Sequence, residues 1–196
     1  MKMTNKVIEN CAHAMWKKYV KQGNAHTYFR QMMAGENIKY RTLEDKNPNF
    51  LGAFTRSPKG QLYIMVNSSI NNDGRRNFTI AHELGHYALQ HPLHGNSLLC
   101  GTTSINEEAK FGNGIEKEAN YFAACLLLPE DKIKSAFCAQ LRRHGLVSGN
   151  SIPFTINIKN YSEWCKIKSR LMNRYGVSET ALRFRLISLN LAVFDF

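Results

Sequence analysis

Residues 78–89 read Phe-Thr-Ile-Ala-His-Glu-Leu-Gly-His-Tyr-Ala-Leu, with His-Glu-Leu-Gly-His at 82–86. Apolar and small residues recur there at helical spacing, which predicts a half-buried helix. On such a helix His82 and His86 lie on one face, one turn apart, so both imidazoles can bind one metal ion. Glu83 follows the first histidine, where it can polarise a water bound to that metal. The pattern predicts a zinc-dependent peptide hydrolase. The alternative is a surface helix that carries two histidines by chance.

A catalytic zinc usually has three protein ligands and one open position. Residues 116–129, Glu-Lys-Glu-Ala-Asn-Tyr-Phe-Ala-Ala-Cys-Leu-Leu-Leu-Pro, predict a second helix with one apolar stripe that ends at the proline. Glu116 and Glu118 are both candidates for the third ligand. Glu116 lies closer to the stripe, and Asn120 follows it one turn later, where it could hold a ligand histidine. We therefore favour Glu116, while the alternative for both glutamates is a solvated helix surface.

The segment Phe78–His86, followed by Glu-x-Glu-Ala-Asn-x-Phe-Ala-x-x-Leu-Leu-x-Pro, resembles the ImmA/IrrE metallopeptidases. The likeness extends over roughly residues 40 to 190, from Leu-Gly-Ala-Phe at 51–54 to the segment that closes at 175–186. The resemblance implies that His82, His86 and Glu116 bind Zn²⁺ and that Glu83 is the catalytic base. A zincin-like α+β fold is expected, with a small antiparallel sheet beside the active-site helix.

The resemblance also implies regulation by proteolysis. Members of this family act on helix-turn-helix repressors of mobile elements, prophages and stress regulons, so we expect such a repressor as the protein substrate. A chain of 196 residues leaves little room for the C-terminal sensory domain of larger members. The alternative function is a zinc-containing binding or toxin-like module that sequesters a regulatory partner without cutting it. A His₂Glu site could also take Mn²⁺ or another divalent ion.

Length and composition favour one compact domain over residues 1–196, which the family resemblance implies is a metallopeptidase domain. Within it, we expect an N-terminal helical extension at 1–35. The sequence holds no apolar run long enough for a membrane span, and its first ten residues lack the apolar core of a signal peptide. The five cysteines are widely spaced and form no Cys-x-x-Cys pair. We therefore expect reduced thiols and a cytoplasmic location.

The formal net charge is +11, and residues 131–196 carry 11 basic and 4 acidic residues of the total. Residues 160–190 predict a basic C-terminal helical hairpin, with a turn at Tyr175-Gly176 and Ser178 as N-cap. Two helices joined by a short turn could be a helix-turn-helix that contacts DNA, which would make the protein a transcription factor. We favour a solvated basic face over an ordinary hairpin. Its basic residues are Lys166, Lys168, Arg170, Arg174, Arg183 and Arg185.

Several further expectations concern the surroundings of the motif. The run Gln61–Asn67 predicts a strand that could bind substrate by strand addition if it lies at a sheet edge. Residues 90–114 are rich in turn-forming residues and predict a loop over the site. We interpret His91 and His94 as loop residues and not as metal ligands. The groups that stabilise the oxyanion cannot be named from sequence; weak candidates are Tyr87, Tyr121 and His144.

Overall fold

The computed structural model of the protein describes residues 2–47, 49–93, 97–101, 114–147, 155–159 and 161–196. The helices are α1 (Asn5–Tyr19), a 3-10 turn (Ala25–Tyr28), α2 (Phe29–Gly35), α3 (Asp73–Ala88), α4 (Gly114–Leu127), α5 (Glu130–Arg143), α6 (Tyr161–Tyr175) and α7 (Glu179–Ser188). The strands are β1 (Ile38–Leu43), β2 (Phe50–Arg56), β3 (Leu62–Asn67), β4 (Ser97–Gly101), β5 (Ile156–Ile158) and β6 (Ala192–Phe194). This content confirms the predicted α+β class.

The main sheet has four strands in the order β1-β3-β2-β4. The prediction of an antiparallel sheet was right for the pairs β2–β3 and β2–β4, but β1 and β3 are parallel. The reason is that β2 and β3 form a hairpin through residues 57–61, and β3 inserts between β1 and β2. The hairpin reverses the chain, so β3 runs opposite to β2, while its other neighbour β1 runs in the same direction as β3.

The strand β3 is therefore interior, so the condition for substrate binding by strand addition at Gln61–Asn67, a free sheet edge, is not met. Both sides of β3 are hydrogen-bonded, to β1 and to β2. At its end, the buried side chain of Asn67 donates to the carbonyl oxygens of Asp45 and Phe50, at 3.2 and 3.0 Å. This amide fixes the connection between β1 and β2. Within the described strands, β1 and β4 are the edges.

Helix α3 lies against the sheet on one side and against α4 on the other. Its N-cap is Asn72, whose Oδ1 accepts from the backbone N–H of Arg75 at 2.9 Å. The close approach of α4 depends on Gly85. A Cβ added there would lie 3.2 Å from both the Cα and the carbonyl oxygen of Ala119. Only a residue without a side chain allows the two helices to pack this closely.

The first helix packs on α4 and is part of the same core. Ile8 and Ala12 are buried in it, and the buried Cys125 Sγ of α4 lies 4.0 Å from the Glu9 carboxylate of α1. Of the cysteine side chains that the structure describes, all are free thiols; they are Cys11, Cys125, Cys138 and Cys165. No helix among the described residues is both long enough and apolar enough to cross a membrane.

The C-terminal hairpin consists of α6 and α7, with the Ser178 hydroxyl accepting from the backbone N–H of Ala181 as the N-cap. Its apolar residues, among them Trp164 and Leu186, are buried. Three of the six basic side chains have internal partners, so the prediction of a solvated basic face is wrong for these three. Arg185 is fully buried and donates to the Leu128 carbonyl at 3.0 Å, while Lys168 pairs with Glu179. The Arg183 guanidinium stacks on the terminal aromatic rings of Phe194 and Phe196.

Two short strands were not predicted. Residues 97–101 form β4, within the stretch expected to be loop, and β6 pairs in parallel with β5 near the chain end. Strands of three to five residues carry too little alternation to stand out in sequence. The remaining parts of the expected 90–114 loop, at 94–96 and 102–113, lie outside the described residues, and so does His94.

Candidate metal centre

The two motif histidines are enclosed at the middle of α3. His82, Glu83 and His86 have exposed fractions of 0%, 0% and 1%. The Nε2 atoms of the two imidazoles lie 2.9 Å apart and point to the same space. This complete burial contradicts the alternative of a surface helix. Burying three polar side chains also costs free energy unless they form hydrogen bonds or coordinate a metal.

Helix α4 brings Glu116 to the same space. Its Oε2 lies 3.2 Å from His82 Nε2, and its Oε1 lies 3.5 Å from His86 Nε2. All three ligand atoms are within 4.8 Å of one another, and no other such group of His, Cys, Asp or Glu occurs in the part of the chain that is described. The three side chains could hold a metal ion.

The environment favours the protonation states that a metal needs. Burial lowers the pKa of His86 to about 4, in spite of the opposing effect of Glu116, so this imidazole is neutral at pH 7. Burial alone would raise the pKa of Glu116, but the His82 and His86 imidazoles beside its carboxylate outweigh it and hold that pKa far below its usual range. A neutral imidazole and an ionised carboxylate are the forms that bind divalent metals.

Both imidazoles have partners for their outward-facing nitrogens. His82 Nδ1 lies 2.9 Å from Oδ1 of Asn120, the residue expected to support a ligand. His86 Nδ1 lies 2.8 Å from Nδ1 of His91. Because an amide oxygen only accepts, the His82 contact requires Nδ1–H, which leaves Nε2 with a lone pair for a metal.

His91 and Glu118 differ from what the sequence indicated. His91 is outside the metal-binding group, as predicted, yet it is buried, with 7% of its surface exposed. Glu118 is not a solvated helix charge, because it is 6% exposed and its Oε2 lies 3.2 Å from His91 Nε2. The only sequence signal for these two contacts was a histidine five residues after His86. That spacing does not reveal that the chain turns back after α3 and brings His91 to His86.

The three weak candidates for oxyanion stabilisation gain no support. The Tyr87 hydroxyl donates to Glu36 Oε2 at 2.8 Å, and Arg185 contacts the Tyr121 hydroxyl at 3.5 Å. His144 is exposed at the end of α5. Both tyrosine hydroxyls are therefore directed to other partners.

Comparison with known proteins identifies the family. A family model, Peptidase_M78, described as an IrrE N-terminal-like domain, matches residues 33–187. The chain belongs to this family. The match confirms the resemblance seen in sequence, and with it a metallopeptidase-like domain. It begins within α2, so α1 lies before the matched region.

Comparison with solved structures supports the fold but no function. No curated protein matches the chain. A solved Mycobacterium tuberculosis transcriptional regulator is similar with a TM-score of 0.51 and 18% sequence identity. The similarity covers 92% of this chain and 46% of that one, so the chain spans less than half the length of the regulator. At this identity the likeness shows a shared fold and carries no residue roles.

Proposed function

We propose that the protein is a zinc-dependent endopeptidase that hydrolyses a peptide bond in a protein substrate. The observation that carries this proposal is the convergence of His82, His86 and Glu116, with Glu83 buried on the same helix between the two histidines. A binding module would need the three ligands but has no need of a buried carboxylate next to them. Residues 1–196 then form one metallopeptidase domain that acts in the cytoplasm.

The donor set fits zinc. Two imidazole nitrogens and one carboxylate oxygen are the ligands of a catalytic His₂Glu site, which keeps a fourth position open. When bound, zinc would make a water acidic enough to react near pH 7 and would polarise the substrate carbonyl. Manganese or another divalent ion is an alternative occupant of the same ligands.

Glu83 is the proposed general base. Its carboxylate takes a proton from the attacking water and passes it to the leaving amine nitrogen. Strand β2 lies close to this group, since a Cβ added at Gly52 would be 3.5 Å from Glu83 Oε1. The enclosure keeps the base in a low-dielectric environment, where its interactions with developing charge are stronger than in water.

The proposed substrate is a helix-turn-helix repressor of a mobile element, prophage or stress regulon. Support comes from family membership and from the structural neighbour, which is itself a transcriptional regulator. A cavity of about 480 Å³ borders His86, and its lining combines apolar side chains such as Phe54 and Leu62 with polar ones such as Arg56 and Gln90. Such a cavity could accept a side chain of a bound peptide. DNA contact by the hairpin is less favoured, because three of its six basic residues have internal partners.

The proposal is tested first by zinc stoichiometry. We expect one zinc per chain in the wild type and in Glu83→Gln, and none in His82→Ala. Cells that express each protein are then compared by labelling of new protein N-termini. New termini should appear with the wild type only, among helix-turn-helix proteins.

Glu83→Gln is the matched control, because it keeps the size and the zinc ligands but cannot accept a proton. Equal cleavage by this variant would refute the mechanism. A wild type that binds zinc but produces no new termini would favour the sequestering module.

A further inference from the structure

The buried His91 has no place in the function proposed so far. It follows the end of α3, and its chain folds back so that Nδ1 lies 2.8 Å from Nδ1 of the metal ligand His86. Its other ring nitrogen, Nε2, lies 3.2 Å from Glu118 Oε2. The second oxygen of Glu118 accepts from the backbone N–H of Met3 at 2.7 Å. These groups form a continuous line from the metal centre to the segment before α1.

The protons along this line can be placed by donor and acceptor rules. An imidazole that binds a metal through Nε2 carries its proton on Nδ1. His86 Nδ1–H can therefore donate to His91 only if His91 Nδ1 is unprotonated. The proton of His91 is then on Nε2, which faces the carboxylate of Glu118. A carboxylate accepts from both His91 and Met3, so every contact pairs one donor with one acceptor.

We propose that His91 is a positioning residue for the metal ligand His86, and that Glu118 holds His91 in the tautomer that this task needs. The inference rests on the proposed metal site. The imidazole of His91 fixes both the rotation of the His86 ring and the location of its proton, so that the Nε2 lone pair faces the centre. Partners of this kind raise metal affinity because the ligand does not have to reorient on binding.

The two metal-binding histidines are supported differently. His82 is held by the neutral amide of Asn120, whereas His86 is held by an imidazole backed by a carboxylate. A backing carboxylate increases the electron density on the ligand nitrogen. Substitutions at His91 or Glu118 should therefore alter zinc affinity and ligand geometry without removing any ligand.

The test measures zinc affinity of the full chain by competition with a chromophoric chelator, together with the visible spectrum of the Co²⁺-loaded protein. We expect His91→Ala to bind zinc about 10–100-fold more weakly, the usual effect of losing such a partner, and to change the Co²⁺ bands. His91→Asn should regain much of the affinity, because its side-chain oxygen can accept from His86 Nδ1–H. A merely structural role would not favour Asn over Ala in a buried position.

Glu118→Gln tests the direction of hydrogen-bond donation from His86 through His91 to Glu118. One oxygen and one NH₂ group cannot accept from both His91 and Met3. If the NH₂ group faces His91, the His91 proton moves to Nδ1 and opposes the proton of His86. We expect a loss within the same 10–100-fold range. Cys125→Ala is the matched control, because Cys125 is also a buried α4 side chain facing α1 but has no contact with this line; its zinc affinity should equal that of the wild type.

Long-range ¹H–¹⁵N spectra of the zinc-loaded wild type give a test that needs no substitution. They should show His91 protonated on Nε2 and His86 protonated on Nδ1. Protonation of His91 on Nδ1, or wild-type zinc affinity in both His91→Ala and Glu118→Gln, would overturn the inference while leaving the proposed peptidase intact. A wild type that binds no metal would overturn the proposed function, and this inference with it.

Discussion

Gly85 sets the distance between the two helices that carry the metal ligands. A methyl group at this position would lie 3.1 Å from a ring carbon of Phe122 and 3.2 Å from the Cα and carbonyl oxygen of Ala119. Ordinary van der Waals contact for a Cβ begins near 3.4 Å. The Phe122 ring could turn aside, but the backbone of α4 could not. We therefore expect Gly85→Ala to push α4 away from α3 by a few tenths of an ångström.

The effect on stability is the balance of two terms. Overpacking a core costs about 1–3 kcal/mol, and replacing a helical Gly by Ala returns about 1 kcal/mol. The free energy of unfolding of the metal-free variant should thus fall by roughly 0–2 kcal/mol. The effect on the metal site should be larger, because Glu116 moves with α4 and metal–ligand distances tolerate only about 0.2 Å. We expect zinc affinity to fall by about tenfold or more, the lower end of the range for disturbed ligand support.

The assay is zinc competition combined with urea unfolding of the metal-free protein. Gly114→Ala is the matched control, since it makes the same substitution at the start of α4, where a methyl group meets no atom of the described residues within 4 Å. This control should keep wild-type zinc affinity. If Gly85→Ala binds zinc as tightly as Gly114→Ala does, helix spacing does not govern the ligand geometry and the reasoning is refuted.

Three further predictions concern the whole domain. Removal of zinc by a chelator should lower the unfolding free energy by about 2.7 kcal/mol relative to protein at free zinc one hundredfold above its Kd; equal melting curves would contradict a native-state metal site. In the metal-free protein, the pKa of His86 is about 4 in the folded state and 6.5 in the unfolded state. The unfolded state therefore binds more protons between these values, so urea midpoints should fall as the pH is lowered from about 6.5 towards 4, and a flat profile would count against this burial. Arg185→Met should destabilise by roughly 3 kcal/mol, because it leaves the Glu9 carboxylate and the Leu128 carbonyl without their partner. Arg170→Met, at an exposed position of α6, is the control and should be neutral by thermal unfolding.

The elements that the sequence predicted best are those with a local signal. The helix around the His82–His86 motif and the helix that carries Glu116 show apolar periodicity over several turns, and α3 also has an Asn N-cap. The choice of Glu116 over Glu118 came from the position of the apolar stripe. The structure brings Glu116 to both histidines, because a residue next to the stripe points along the interface with α3.

The features that the sequence did not predict depend on pairing between distant residues. The interior position of β3 follows from the order of four strands, which no single strand encodes. The contact of His91 with His86 requires the chain to turn back at Gln90, which has a positive φ of 55°. The buried Glu118 contacts the segment before α1, where Met3 lies 115 residues away in sequence. Local patterns carry no information on such contacts.

Cys125 lies on α4 where this helix contacts α1, so the reactivity of its thiol reports on the separation of the two helices. Burial raises the pKa of its thiol to about 12, so the reactive thiolate is almost absent while the two helices are in contact. Cys125 is only 4% exposed at the base of a cavity that Glu9 and Arg185 also line. An alkylating reagent should therefore label this sulfur faster whenever α1 moves away from α4. Peptide mass spectrometry can follow this site apart from the half-buried Cys11 and Cys165. A slower labelling rate in the presence of zinc would show that movement of the N-terminal helix is coupled to the metal ligand Glu116 on α4.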